Sequence, residues 1–576
     1  MKKSALLFFA ILLSASLNAQ NLLPEMWKFK TGDDPQWASP AFDDSDWTDI
    51  KAGIQWESQG FNGYDGYAWY RVTFMVPADL ELTAIKYGGL NLALGKIDDV
   101  DFTYLNGKLV GGMGELPPHY ETAWNMDRNY RVPAGLIHWG QENTIAVRVF
   151  DLLGGGGIYS RPIQFTVRGV ADYLTVEPKF STEDHIFSKA EEVDILLDLK
   201  YESRKVLEGN LSLKVISDFG KEIANLSQQL TLDGKGNYPV SFLIPGIEPG
   251  FYKATAVFES PLAYKTCEFA FGCEPEAIVS PTNPAPDFES FWDRARQELA
   301  TVDPKFKVTK IDSLSTSKRN VYLVEMRSLG NVLIRGWYTV PAKPGKYPAI
   351  MQVPGYSGSM IPEYVDYGDE IIGFGLNIRG HGNSQDDFNP GFPGYLFSGI
   401  KNQDTYVYRG AYMDCLRGID FLYSRPEVDT TRVAVEGGSQ GGALTYATAA
   451  LDNRRIIACA PLVPFLSDFE DYFKVAPWPG NEFIEYVQTE YKMTWEEVFS
   501  VLSYFDIKNL AGWINCPLFM GVGLVDDVCP PHINFAAYNQ VKSEKHYVIY
   551  PYAGHGLPAD FYDRRMVFLR EKLGLE

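Results

Sequence analysis

The run Arg432-Val433-Ala434-Val435-Glu436-Gly437-Gly438-Ser439-Gln440-Gly441-Gly442 sets a serine in a G-x-S-x-G pattern between an apolar strand and the start of an Ala-rich helix. A hydroxyl is a weak nucleophile at neutral pH. Chemistry at Ser439 therefore needs a strained turn that exposes it, a base beside it, and a helix N-terminus that favours negative charge. The flanking glycines leave room for such a turn. In a chain with 52 glycines one such pentapeptide can arise by chance, so its context has to decide.

A base and an acid follow in the chain. The apolar run Pro517-Leu518-Phe519-Met520-Gly521-Val522-Gly523-Leu524 reads as a buried strand that ends at Val525-Asp526-Asp527. Asp526 thus falls at a strand's C-terminal end, with Asp527 as its competitor for the role of acid. The next apolar run, His546-Tyr547-Val548-Ile549-Tyr550, leads into Pro551-Tyr552-Ala553-Gly554-His555-Gly556, which makes His555 the general-base candidate. Of the other histidines nearby, His546 begins a strand and reads as structural. His532 follows a proline pair and reads as a helix-start residue. The order serine, acid, histidine on successive strand ends is that of an α/β-hydrolase triad.

Further segments carry a family resemblance. Tyr408-Arg409-Gly410-Ala411-Tyr412-Met413-Asp414, the stretch from Asp420 through Ser424-Arg425-Pro426-Glu427-Val428-Asp429, and Gly438-Ser439-Gln440-Gly441-Gly442 are the strongest. Pro286-Asp287-Phe288-Glu289-Ser290-Phe291-Trp292, Val463-Pro464-Phe465-Leu466, and Gly523-Leu524-Val525-Asp526 leading to Cys529-Pro530-Pro531 support them. From about residue 280 to 576 the chain resembles the acetyl xylan esterase and cephalosporin-C deacetylase family, carbohydrate esterase family seven. The resemblance implies an α/β-hydrolase that removes acetyl groups from sugar hydroxyls through an acyl-serine, with Ser439, Asp526 and His555 on the triad positions. It also implies an oxyanion hole made by the backbone N–H groups of Gln440 and of Tyr356, in Val353-Pro354-Gly355-Tyr356. Three positions depart from the family pattern: His381 where Arg-Gly-Gln is usual, Pro354 where a histidine often precedes Gly-Tyr, and Gly556 in place of Glu after the histidine. These departures bear on acyl and alcohol specificity.

The elements that must position this site occupy only the second half of the chain. Met1-Lys2-Lys3, an apolar run from Ala5 to Leu13 and small residues to Ala19 read as a signal peptide over 1–19, too short to span a bilayer, so an exported periplasmic or extracellular protein is expected. No later segment is apolar enough to span a membrane. Residues 20–170 hold seven of twelve tryptophans among Gly and Asp turns, an all-β signature, and resemble the jelly-roll sugar-binding domain of glycoside hydrolase family two. Those rings could stack on sugars or simply fill the space between sheets. Short alternating runs over 171–278 suggest an immunoglobulin-like sandwich acting as a spacer, and Pro281 to Pro286 a stiff linker into the hydrolase domain at 279–576. Within that domain, residues 467–500 are either a cap over the pocket or an ordinary amphipathic crossover.

Composition narrows the partners. The formal charge of −21, from 52 basic and 73 acidic residues, argues against nucleic acid and anionic membranes, and favours a xylan-type over a pectin-type substrate. Six scattered cysteines make no disulfide framework; Cys267 and Cys273 could pair or simply share a strand. There is no H-E-x-x-H, no cluster of Cys and His ligands, and no G-x-G-x-x-G opening a helix, so no cofactor or metal is expected. The favoured reading is an exported serine esterase acting on acetylated carbohydrate. A prolyl-oligopeptidase-like peptidase would need a repeat-built module, and no internal repeat exists. A sugar-binding protein with an inactive hydrolase would have lost a triad member, whereas all three are present. Oligomeric state is not legible in the sequence.

Overall fold

The computed structural model describes residues 21–152, 154–188, 192–363 and 367–575. The expected signal peptide lies outside them. Among the described residues no helix is long and apolar enough to cross a membrane.

The C-terminal half is built on a nine-stranded sheet. Its order is Lys307–Lys310, Arg319–Arg327, Leu333–Pro341, Ile372–Asn377, Tyr347–Val353, Val428–Gly438, Ala458–Leu462, Leu518–Gly523 and Lys545–Tyr550. The first three strands and their junction to Ile372–Asn377 are antiparallel; the remaining pairings are parallel. Parallel strands are covered on both faces, which is why segments such as Ile372–Asn377 and Ala458–Leu462 are buried at every position. Helices Val407–Tyr423 and Gln440–Leu451 are among the elements that cover them. Strand order reverses at Tyr347–Val353, which lies between Ile372–Asn377 and Val428–Gly438. At such a switch point the loops leaving adjacent strand ends open a crevice, and here those loops carry Tyr356 and Ser439.

Two further pairs of sheets precede this one. A six-stranded sheet and a four-strand set share an apolar core that includes Trp27, Phe29, Trp56, Tyr70, Leu92 and Phe165. A three-stranded and a five-stranded sheet share another, with Leu197, Leu199, Leu213 and Phe258. Cys267 and Cys273 lie on one strand, Ala263–Cys273, and both are free thiols. Alternation along a strand sends neighbouring side chains to opposite faces, but residues six apart on one extended strand are too distant to bridge.

The segment expected to act as a spacer is docked on the C-terminal half. Asp218 Oδ2 meets His532 Nδ1 at 2.9 Å, and Phe251 packs on Phe535 with centroids 5.5 Å apart. Asn539 Nδ2 donates to the carbonyls of Pro275 and Ile278. The proline-rich linker is held as well, since Asn283 N–H donates to Asn509 Oδ1 and Ser280 Oγ to Asp468 Oδ2.

Candidate active site

Ser439 sits between the strand Val428–Gly438 and the helix Gln440–Leu451 with φ 58° and ψ −120°. A non-glycine residue there costs about 1–3 kcal/mol, and surrounding bonds hold it. Ser439 N–H donates to Leu462 O at 3.0 Å, and Ser439 O accepts from Phe465 N and Ala443 N. The glycines of the pattern are required by contact: a Cβ on Gly437 would lie 2.7 Å from Gly441 O, and one on Gly441 would lie 2.4 Å from Val353 O.

His555 is delivered by the loop after Lys545–Tyr550. Its Nε2 accepts from Ser439 Oγ at 2.9 Å, and its Nδ1 donates to Asp526 Oδ2 at 2.9 Å. The other oxygen of Asp526, Oδ1, accepts from the N–H groups of Val528 at 2.9 Å and Cys529 at 2.8 Å. Asp526 is buried while Asp527 is exposed, so Asp526 is the carboxylate that meets the imidazole. Burial opposes a charged ring at His555. The Asp526 carboxylate outweighs it and raises the pKa above 6.5.

The two N–H groups expected to face an oxyanion lie on adjoining loops. Gln440 N is the first of its helix, and among the described residues neither it nor Tyr356 N donates to a protein acceptor. The Gln440 side chain braces them. Its Oε1 accepts from Tyr408 Oη at 2.7 Å, and its Nε2 donates to His381 Nε2 at 3.0 Å and lies 3.4 Å from both Pro354 O and Gly355 O. His381 can accept only as a neutral ring with its proton on Nδ1, which faces Arg379 O at 3.3 Å. Burial enforces this, pushing its pKa down from 6.5 to about 4. The departure at position 381 is therefore a histidine working as a hydrogen-bond acceptor, a role that its residue type alone does not reveal.

Aromatic side chains wall the Tyr356 side of the site. Phe392 and Trp478 pack on the Tyr356 ring at 4.8 and 5.7 Å, and Trp478 also meets Phe465 at 5.3 Å. Trp478 belongs to the 467–500 insertion, so that segment borders the site. The other two C-terminal histidines stay away from Ser439: His546 is exposed beside Glu544, and His532 pairs with Asp218. Asp468, Asp471 and His532 cluster closely enough to suggest a metal site, but the Lys508 ammonium lies 2.6 Å from Asp468 Oδ1 and supplies the cation.

A serine oxygen hydrogen-bonded to an imidazole, which is held by a buried carboxylate, can transfer an acyl group from an ester. The sequence profile described as acetyl xylan esterase (AXE1) matches residues 279–573. The chain is 30% identical over 316 residues to acetyl esterase Axe7A of Xylanibacter ruminicola, a match covering 52% of this chain and 70% of that protein. It is also similar to the crystal structure of acetyl xylan esterase 1 from Thermoanaerobacterium sp. JW/SL YS485, with 31% identity, a TM-score of 0.48, and coverage of 52% of this chain and 98% of that one. For the acetyl xylan esterase from Paenibacillus sp. R4 the figures are 30%, 0.48, 52% and 98%. With a profile match over more than half its length and the serine, histidine and aspartate aligned in space, the chain belongs to the acetyl xylan esterase family and is a carboxylic ester hydrolase.

Proposed function

We propose that this protein is exported and removes O-acetyl groups from plant-type polysaccharides or oligosaccharides through an acyl-serine intermediate. The observation that carries the reading is the line from Ser439 Oγ to His555 Nε2 and from His555 Nδ1 to Asp526 Oδ2, 2.9 Å at each step. His555 takes the hydroxyl proton as Oγ attacks the acetyl carbon, and Asp526 stabilises the imidazolium. The N–H groups of Gln440 and Tyr356 face the charge that develops on the carbonyl oxygen, where losing one such donor costs on the order of 3 kcal/mol. His555 then gives its proton to the sugar oxygen as the C–O bond breaks. Water, activated by the same imidazole, releases acetate and restores Ser439.

In this reading residues 20–170 form a jelly-roll unit, 171–278 an immunoglobulin-like unit and 279–576 the esterase, with 1–19 removed on export. The separate cores of the two β-units support that division. The test is a hydrolysis screen of acetylated xylo-oligosaccharides, acetylated mannans and peptide amides, with mass spectrometry of the quenched enzyme. Acetate release and a single acetyl group on the Ser439 peptide are expected, both absent in Ser439→Ala. Cleavage of the amides without acetate release would favour a peptidase instead.

A further inference from the structure

We infer that Trp124, presented by the N-terminal β-structure, is a stacking wall for the sugar that leaves the esterase site. The inference rests on the esterase reading above and adds a substrate subsite from a different part of the chain. Gly556 directly follows His555. A Cβ on Gly556 would lie 3.3 Å from Trp124 Cζ2 and 4.0 Å from its Cε2 and Nε1, so the indole lies against the backbone beside the imidazole. Any side chain at 556 would be pushed onto that ring; glycine leaves the approach open.

Trp124 is not a core residue of its own sheets. It is 37% exposed, whereas Trp27, Trp47, Trp56 and Trp69 of the same β-structure are exposed by 4% or less. Its backbone is held in place. It lies on the 114–126 loop between strands Lys108–Met113 and Asp127–Val132. Its N–H donates to Thr122 Oγ1 at 3.2 Å, and its carbonyl accepts from Tyr159 Oη at 2.6 Å. Ala123 N–H donates to Asp99 O, which also accepts from Arg128 Nη2. Arg128 in turn forms a fully buried ion pair with Asp101 at 2.9 Å. These bonds tie the loop backbone to the sheet, which lowers the entropy cost of placing the ring for a ligand.

The side of the site follows from the proton route. Tyr356, with Phe392 and Trp478 around it, marks the oxyanion side, and the leaving alcohol must lie where His555 can protonate it. Trp124 borders Gly556, the residue that follows His555, and this puts it on the alcohol side in this reading. An indole face is broad and apolar, suited to the C–H face of a sugar ring, and among the described residues Trp124 Nε1–H has no protein acceptor, leaving it free for a sugar hydroxyl.

Binding of unacetylated xylo-oligosaccharide, measured by calorimetry in the full-length Ser439→Ala chain, tests the idea apart from turnover. Adding Trp124→Ala should weaken binding by roughly 5- to 10-fold. Trp124→Leu keeps apolar packing on Gly556 but has no aromatic face, and should weaken it about as much; circular dichroism checks folding. In the active enzyme, both variants should lower the ratio of kcat/KM for acetylated oligosaccharide to kcat/KM for an aryl acetate by a similar factor. Unchanged binding, or a parallel fall on both substrates with the ratio constant, overturns the proposal and makes Trp124 a support for the His555 loop. Ester turnover surviving in Ser439→Ala would refute the nucleophile assignment, while the binding comparison would still decide the role of Trp124.

Discussion

Acidification should destabilise this protein in part through the buried imidazole of His381. His381 is fully buried, and its Nε2 accepts from Gln440 Nε2 at 3.0 Å. Protonation would put two N–H donors face to face. Burial holds the folded-state pKa near 4 against 6.5 for the free side chain. Between those values the unfolded chain binds a proton that the folded chain refuses, so stability falls as pH falls. The stabilisation is whole above pH 6.5, and the loss levels off below about pH 4. A gap of about 2.5 pH units corresponds to about 3 kcal/mol, most of which has gone by pH 4.5. His381→Gln offers an amide oxygen to the same donor and does not titrate. Denaturant unfolding of the wild type and His381→Gln, followed at pH 7, 5.5 and 4.5, isolates the effect, because all other titrations are common to both. The variant should gain on the wild type by about 2 kcal/mol or more over that range. A stability difference constant to within about 0.5 kcal/mol would refute the neutral, buried acceptor.

The pair of carboxylates at the strand end should separate cleanly: Asp526→Asn should lower kcat on an aryl acetate by about 10⁴-fold, and exposed Asp527→Asn should leave it near wild type, with the reverse ranking moving the acid to Asp527. Because Asp526 raises the His555 pKa and the base must be neutral, kcat/KM should rise with pH through an apparent pKa above 6.5. In Asp526→Asn the residual activity should show that limb shifted to lower pH; a limb that stays put would mean another group titrates. Glu436, buried on the strand that leads to Ser439, accepts from Gln352 Nε2 and Tyr367 Oη and lies 3.1 Å from Arg565 Nε. Removing its cation in Arg565→Met should cost about 3–5 kcal/mol in unfolding measurements, and a neutral outcome would show that the carboxylate is relieved some other way.

Much of the site was legible without coordinates because its signals are short in range. A strand, a glycine-flanked serine and a helix start fall within eleven residues around Ser439, and each partner lies just after its own apolar strand run, so local pattern located Ser439, Asp526 and His555 together. The sequence favours Asp526 but leaves Asp527 as its competitor, since both end the same strand; in the structure Asp527 is exposed, and Asp526 turns inward to His555 and the N–H groups of Val528 and Cys529. The role of His381 depended on what a folded neighbour, Gln440, offers it. The tryptophans divide in the same way: composition could not separate rings that fill a core, such as Trp27 and Trp56, from Trp124 at the edge of the esterase site. Turn chemistry and strand periodicity are carried by neighbours in the chain and can be read there. Burial and protonation state depend on packing within the C-terminal unit, and the meeting of Trp124 with Gly556 on how the N-terminal β-structure lies against it; both are set by surfaces that exist only after the chain has folded.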